Sequence, residues 1–363
     1  MSPITALDFR SELPQSQSSK EALIGALELA GLDPRKIHSD SARLRQVINL
    51  SRESIAADLG VPPAALEFVG ELGFGFWLGI KGMLHASKAS FIYSKIDRQL
   101  IHAFAREEIE RNTRELEVNT EGKVDYQNIE IAHGAILSWQ AANRETGVAQ
   151  DFPKPSGVAL FADLTSTFYL DRLPPNWSVA LWDPRNFAGP EGLAILAISP
   201  DHEGNWRRPI PNVDNRRTFG SYSKSALIAS AAALSEWKSS VTKQELHLVN
   251  LNKRTRDLLV EKVPGVRLAG NSLLSAVKSD PRRIAFTLDQ VIAEELLREL
   301  EKESIFIDAG SACSGAALSP SHVLTAMGFS PDGQIRITLT KEHDESGINR
   351  LVDAIANAVK RIS

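Results

Sequence analysis

The sequence predicts an α/β protein whose core is a mostly parallel sheet. Three uninterrupted apolar segments, residues 157–162, 179–182 and 193–198, are typical of strands that are buried on both faces. Stretches with a helical pattern separate the apolar segments, and this alternation favours parallel strands joined by helices. At 363 residues the chain is long enough for one large domain and a second, smaller one.

Two helices are predicted before the first of these strands. Ser18 and Glu21 form a capping box, and the helix behind it is expected to end at Gly31. The second helix is expected to end at Gly60. Its apolar positions recur at helical spacing and are Leu44, Val47, Ile48, Ile55 and Leu59.

A long, alanine-rich helix is predicted over residues 225–260, where it would connect two domains. We expect a large domain over residues 18–250 and a small domain made of residues 1–17 and 251–363. The C-terminal part mixes both types of element. Its predicted elements are strands at 284–287 and 335–339, a helix at 292–300 and an amphipathic helix at 348–359.

Composition and charge exclude several classes of protein. The formal net charge of −4 gives no basic surface for nucleic acid or for an anionic membrane. No apolar run approaches the roughly 18 residues of a membrane span, and the N-terminus shows no signal peptide. The eight histidines show no paired metal spacing, so we expect no metal site. The single cysteine, Cys313, excludes an internal disulfide, which fits a reducing cytoplasm.

Several short motifs follow one another in a fixed order along the chain. Residues 143–151 read Asn-Arg-Glu-Thr-Gly-Val-Ala-Gln-Asp, residues 186–192 read Asn-Phe-Ala-Gly-Pro-Glu-Gly, and residues 308–328 surround the cysteine. These motifs, in this order, resemble those of the cysteine desulfurases in the class V aminotransferase family. Further segments that match are 37–39, 78–82, 161–163 and 335–339.

The resemblance implies the architecture called PLP fold type I, after its cofactor pyridoxal phosphate (PLP), and it exposes one change at the centre of the site. The family holds PLP through a lysine amine that forms a Schiff base. Asn186 lies at that position, and its amide cannot form this bond. By the same resemblance Asp163 matches the partner of the pyridine nitrogen and Ser166 the contact of the ring oxygen. Ser221 matches a residue that reaches the phosphate of a neighbouring subunit.

The expected phosphate site is altered as well. The threonine that donates to the phosphate in the family is Gly73 here, and the serine before the lysine motif is Asp183. A carboxylate that faces a phosphate dianion is repulsive by on the order of 1 kcal/mol or more. The resemblance therefore predicts that no cofactor is held, with PLP expected only if the family's activity is retained.

Arginines stand at several positions around the same site. Arg336 matches the family's arginine for the substrate carboxylate, and Asn143 matches part of its substrate contacts. Arg98, Arg144 and Arg185 replace other residues of the family pattern. Guanidinium groups suit a small anionic ligand. Two alternatives to ligand binding stay open. In one, Asp163 and Asp183 neutralise two of the arginines as internal ion pairs. In the other, Arg336 forms a structural ion pair on its strand.

Cys313 matches the family's catalytic cysteine, which takes sulfur from the bound substrate and becomes a persulfide. A useful nucleophile needs exposure and thiolate character. The surrounding residues, Gly310-Ser-Ala-Cys-Ser-Gly315, are small and polar. The sequence leaves open whether this thiol is reactive or is an inert filler.

Three functions are compatible with these observations. The first is a desulfurase homologue that has lost PLP and acts as a binding, scaffold or sulfur-carrying protein. The second is a PLP-dependent cysteine desulfurase or aminotransferase with a noncovalent cofactor. The third is a different enzyme that uses the arginine-rich pocket. Whether the chain is an enzyme is therefore open. A homodimer, or a heterodimer with an active paralogue, is the expected assembly.

Overall fold

The computed structural model describes residues 6–10, 13–29, 31–211, 217–218, 222–270, 278–310 and 320–362. Its strands are β1 (Leu7–Asp8), β2 (Leu66–Val69), β3 (Phe91–Ser94), β4 (Thr113–Leu116), β5 (Ile136–Gln140), β6 (Ala159–Asp163), β7 (Trp177–Trp182), β8 (Ala194–Ile198), β9 (Val266–Ala269), β10 (Arg283–Leu288), β11 (Ile305–Phe306), β12 (Asp308–Ala309) and β13 (Gln334–Thr338). Its helices are α1 (Gln17–Leu27), α2 (Ser39–Leu59), α3 (Leu72–Ala86), α4 (Gln99–Glu107), α5 (Lys224–Lys262), α6 (Ala293–Lys302), α7 (His322–Ala326) and α8 (Glu345–Ile362).

A seven-stranded sheet with the order β2-β8-β7-β6-β5-β3-β4 forms the core of the larger part. Strands β4, β3, β5, β6 and β7 run parallel, whereas β8 is antiparallel to both β7 and β2. The apolar segments predicted as strands contain β6, β7 and β8, and nearly every residue of these strands is buried. The predicted mostly parallel sheet is therefore confirmed.

Helix α3 lies directly against this sheet, because glycine at two positions removes the side chain that would keep it away. A Cβ on Gly79 would come within 2.7 Å of the Phe161 ring on β6, and one on Gly75 within 2.9 Å of the Leu181 side chain on β7. This close packing holds α3 against the sheet. Its first residues lie close to Arg98, whose guanidinium is 5.3 Å from the centre of the Phe76 ring.

The smaller part contains an antiparallel sheet with the order β12-β13-β10-β9, next to the short parallel pair β1-β11. Helices α6 and α8 pack together beside it. Helix α5 has 39 residues and runs unbroken through residue 250, so the predicted boundary there stays a prediction. Within the described ranges no helix is both long and apolar enough to cross a membrane.

The first helix begins two residues earlier than the capping box predicts. Ser16 is the N-cap, and its hydroxyl accepts a hydrogen bond from the Ser19 backbone N–H. The predicted cap at Ser18 is wrong, because that hydroxyl instead donates to the Glu236 carboxylate on α5 at 2.6 Å. The predicted end of the second helix at Gly60 is correct, with Gly60 in the left-handed conformation at φ 71°.

Candidate functional site

The candidate site lies where β5, β6 and β7 end, the edge of a parallel sheet at which such sites usually form. Asp163 is the last residue of β6, and Asp183 directly follows β7. These ends form a cleft with a volume of only about 30 Å³, which is room for about two water molecules. The residues that line it are Leu13, Arg98, Arg144, Thr165, Ser166, Asp183, Arg185, Asn186 and Arg283.

Asn186 is fixed in this cleft by hydrogen bonds at both ends of its amide. It lies on the 3-10 turn Pro184–Phe187 and is 7% exposed. Its Nδ2 donates to the backbone oxygen of Thr167 at 2.5 Å. Its Oδ1 accepts from Nη2 of Arg282 at 2.9 Å, and its backbone oxygen accepts from Nη1 of the same residue at 2.7 Å. The position expected to carry the cofactor lysine therefore holds a satisfied, buried amide.

Arg282 is the main residue of the site that sequence analysis missed. It is 1% exposed and pairs with the fully buried carboxylate of Asp280, with Nη2 and Oδ2 2.6 Å apart. Its guanidinium lies 5.4 Å from the Phe168 ring centre and 5.2 Å from that of Trp237. A buried charge of this kind is stable because its partner and its hydrogen bonds replace water.

A local sequence signal could have indicated this ion pair. The tripeptide Asp-Pro-Arg occurs three times, at residues 33–35, 183–185 and 280–282. In each copy the aspartate accepts a 3.0 Å hydrogen bond from the backbone N–H of the arginine and also pairs with its guanidinium. Proline keeps the preceding aspartate out of the helical conformation, which favours this turn. The copies differ in burial, since their arginine side chains are 75%, 34% and 1% exposed, in chain order.

The end of the site that the resemblance assigns to a phosphate presents carboxylates instead. Glu71 is the N-cap of α3, and its carboxylate accepts from the backbone N–H groups of Gly73 at 2.6 Å and Phe74 at 2.8 Å. Helix N-termini bind anions through such groups, and here an anion of the chain itself takes two of them. Asp183 binds the guanidinium of Arg185 at 2.8 Å. Glu71 was not among the site residues predicted from the sequence.

The ring end of the expected cofactor site is filled by Arg98. Its Nε lies 3.4 Å from Asp163 Oδ2, and its Nη2 donates to Thr165 Oγ1 at 2.5 Å and to Ser166 Oγ at 2.8 Å. Asp163 also accepts from the backbone N–H of Thr165 at 2.8 Å. In the structure Asp163 is therefore paired with Arg98 and Asp183 with Arg185, as in the alternative of internal ion pairs.

Asp97, next to Arg98 in the chain, is a buried carboxyl group of this region. Burial raises its pKa to about 7, and the nearby Asp163 carboxylate acts in the same direction. A hydrogen bond from the Ser94 backbone N–H, 3.0 Å from Oδ2, opposes the change. The protein therefore carries a proton on this group under mildly acidic conditions.

The predicted substrate residues take different roles. Asn143 organises its own turn, with Oδ1 accepting from the backbone N–H groups of Glu145 and Thr146. Arg336, 6% exposed, lies on β13 beside Asp308 of β12, and its Nε has no hydrogen-bond partner in the described part of the chain. Burial, together with the nearby guanidinium groups of Arg282, Arg144 and Arg336, lowers the pKa of Arg283 to about 9.

Two predicted site residues, Cys313 and Ser221, lie outside the described residues. The thiol chemistry and the contact with a neighbouring subunit therefore stay predictions. Among the residues that are described, no three His, Cys, Asp or Glu side chains are grouped so that they could hold a metal ion.

The described residues do not fit PLP. No lysine is found among the described residues that line the cleft. Asn186 offers an amide whose groups are already bonded, and Glu71 and Asp183 place negative charge where a phosphate would bind. Asp163, the expected partner of the pyridine nitrogen, is paired with Arg98.

Comparison with known proteins gives a consistent result. No family model matches the chain. The chain is 23% identical over 356 residues to a cysteine desulfurase IscS of Clostridium botulinum, with 91% of this chain and 87% of that one covered. It is 24% identical over 383 residues to the cysteine desulfurase IscS of Dictyoglomus turgidum, with 98% and 94% covered.

Solved structures show the same likeness in three dimensions. A NifS-like protein superposes with a TM-score of 0.83 at 18% identity, covering 98% of this chain and all of the other. A NifS-like protein from Rickettsia africae gives 0.82 at 20% identity, with 98% and 100% covered. The apo cysteine desulfurase from Thermococcus onnurineus gives 0.81 at 16% identity, with 98% and 95% covered. The predicted PLP fold type I is confirmed.

Proposed function

We propose that this chain, which has the fold of the cysteine desulfurases and aligns with them over nearly its whole length, has lost their cofactor chemistry and acts as a binding or scaffold protein. The observation that carries the proposal is the network around Asn186. Both groups of the side-chain amide are bonded, and Arg282 holds the residue from its buried ion pair with Asp280.

Energetics support a site that is filled by the chain itself. Room for a PLP ring would require the ion pair between Arg98 and Asp163 to open, and both side chains are mostly buried. Removing one partner of a buried pair costs about 3–5 kcal/mol. A phosphate would also have to displace the Glu71 carboxylate from the start of α3. The losses fall on separate parts of the site, so one reversion does not restore it.

The proposed role needs a partner, and the fold supplies the candidates. A second copy of the chain gives a homodimer, and an active desulfurase gives a heterodimer in which this chain stabilises the other. Sulfur transfer through Cys313 is compatible with the homodimer and with the heterodimer. In both, another protein would supply the sulfur.

A test of this proposal combines activity with assembly. The purified chain, supplied with PLP and cysteine, is expected to release neither alanine nor sulfide. Co-expressed with a cysteine desulfurase encoded in the same genome, it is expected to elute as a dimer in light scattering, with either itself or that protein. Sulfide release at the rate of a desulfurase, or a monomer under both conditions at micromolar concentration, would contradict the proposal.

A small anionic ligand near Arg336 is the second candidate function. A buried guanidinium whose Nε has no partner among the described residues is uncommon, since buried polar groups are normally paired. Sulfate is a suitable probe, and Arg336→Gln is the matched variant because it keeps a polar side chain. We expect sulfate to raise the melting temperature of the parent protein more than that of the variant. Equal shifts would remove this candidate.

A further inference from the structure

A second cavity, with a volume of about 350 Å³, lies beside the turn that carries Asn186. Residues 13–17, the middle of α5 and residues 340–342 enclose it together with Phe187 of that turn. Volumes of about 300–1,000 Å³ are typical of small-molecule sites, which often form where parts of a fold meet. This cavity is about ten times larger than the cleft at Asn186.

The floor of the cavity is apolar and firmly packed. Phe187, Ala233, Trp237 and Leu248 line it and are 0%, 1%, 5% and 1% exposed. Because these side chains are held by the core, the cavity is preformed. Two of them are aromatic, which favours a ligand with a flat or extended apolar body.

Two donors on the lining have N–H groups for which the described residues supply no acceptor. The Nε1 of Trp237 makes no hydrogen bond to any described residue, and it is not among the fully buried side-chain nitrogens that lack a partner, so solvent reaches it. Arg282 also lines the cavity, and Asn186 O is the one described acceptor for the two N–H groups of its Nη1. These groups can donate to an acceptor oxygen of a ligand.

The rim adds a positive charge that is not engaged. Lys20 lines the cavity and forms no ion pair with a described residue. Lys341 is paired with Glu236 at 3.3 Å. Glu342 also lies on the rim and carries the opposite charge to Lys20, so the donors on the floor decide the class of ligand.

We propose that this cavity binds a small carboxylic acid with an apolar body. The body packs on Phe187, Trp237 and Leu248, and the carboxylate accepts from the indole of Trp237 and the guanidinium of Arg282. Since Arg282 also holds Asn186, the ligand would bind next to the altered cofactor position without entering it. This inference is independent of whether the chain has lost PLP.

Calorimetric titration with three acids tests the site: benzoate, 3-phenylpropionate and octanoate. The neutral amide 3-phenylpropionamide serves as the matched ligand without charge. We expect at least one acid to bind, and to bind more tightly than the amide. The chain is used at full length, and binding is also followed by tryptophan fluorescence, because Trp237 lies on the floor.

Variants locate the binding. Trp237→Phe keeps an aromatic ring, although a smaller one, and removes the N–H, and about fivefold weaker binding is expected. Ala233→Leu fills the cavity and is expected to abolish binding, with circular dichroism to show that it folds. Lys20→Gln is expected to weaken binding of the acid and to leave the amide unchanged. Lys36→Gln, an exposed lysine elsewhere, is the control that should change neither.

The outcomes separate clearly. The proposal is overturned if none of the three acids binds at a ligand concentration of roughly 10 mM, because a site that needs more ligand than this is too weak to be useful. It is also overturned by binding that is unchanged in both Ala233→Leu and Trp237→Phe, because the acid would then lie elsewhere. Neither result bears on the cofactor, which is tested separately by its absorbance.

Discussion

Arg282 holds Asn186 at two points, with Nη1 2.7 Å from the backbone oxygen and Nη2 2.9 Å from Oδ1. The same guanidinium pairs with Asp280, so a buried charge, its counter-ion and an amide form one unit. Such a unit is sensitive to removal of one member, because the others remain buried without a partner. It explains why the position expected to carry a lysine is stable as asparagine.

The arginine of this unit should be far more important for stability than its exposed counterpart. We expect Arg282→Ala to lower the free energy of unfolding by about 3–5 kcal/mol, because it leaves the Asp280 carboxylate buried and unpaired. Arg35→Ala breaks the same local pair with Asp33 at the surface, where solvent screens both charges, and should cost far less. Urea unfolding monitored by circular dichroism measures both. Equal losses would show that the buried pair contributes nothing special.

A lysine returned to position 186 should fail to restore the cofactor site. Asn186→Lys would place an amine beside the guanidinium of Arg282 and remove the Oδ1 that accepts from it, at an expected cost of about 2–4 kcal/mol. Asn186→Asp is the matched variant: it loses the N–H that donates to the Thr167 oxygen but keeps the acceptor for Arg282, so it should be tolerated better than the lysine. If urea unfolding showed Asn186→Lys to be more stable than Asn186→Asp, Arg282 would not determine which charge this position accepts.

Glu71 should stabilise the start of α3. Glu71→Ala removes the acceptor for the N–H groups of Gly73 and Phe74 and should cost about 0.5–2 kcal/mol. Glu53→Ala, at an exposed position of α2, is the control and should stay within about 0.5 kcal/mol of the parent. Thermal unfolding distinguishes the two. A Glu71→Ala protein as stable as the control would argue against the cap.

Asp97 should make stability fall as the pH rises. Its pKa is about 7 in the folded protein, above the ordinary value of 3.8. Between pH 3.8 and pH 7 the folded state therefore holds a proton on Asp97 that the unfolded state has lost. The stabilisation is complete below about pH 4 and disappears as the pH passes 7. Relative to Asp97→Asn, the parent should lose about 2–4 kcal/mol between pH 4 and pH 8. If the free energy of unfolding changed with pH in the same way for both proteins, the raised pKa of Asp97 would be contradicted.

Local patterns predicted the framework of the fold well. Strands β6, β7 and β8 could be found because their residues are buried on both faces and are therefore apolar without interruption. The candidate pairs of Asp163 and Asp183 with arginines were also foreseeable, since the resemblance placed them around one site. The start of α1 was misplaced, because Ser18 bonds Glu236, a residue 218 positions away.

The contacts around Asn186 could not be predicted, because they too join residues that are far apart in the sequence. Arg282 and Asn186 are 96 residues apart, and no local pattern reports that one will bond the other. The Asp-Pro-Arg tripeptide indicates an aspartate–arginine pair but not its burial, which differs between the copies from 75% to 1% exposed arginine. The capping role of Glu71 was missed because glutamate is not a preferred N-cap residue.

The absorbance of the purified chain with excess PLP, followed by borohydride reduction and peptide mapping, tests the central claim most directly. Without an amine at position 186, and with carboxylates at Glu71 and Asp183, we expect no visible aldimine band and no labelled lysine in the peptide that contains Asn186 or in any other peptide of the site. A yellow protein with one lysine labelled per chain, together with sulfide release from cysteine, would show that PLP is held after all and would contradict the account.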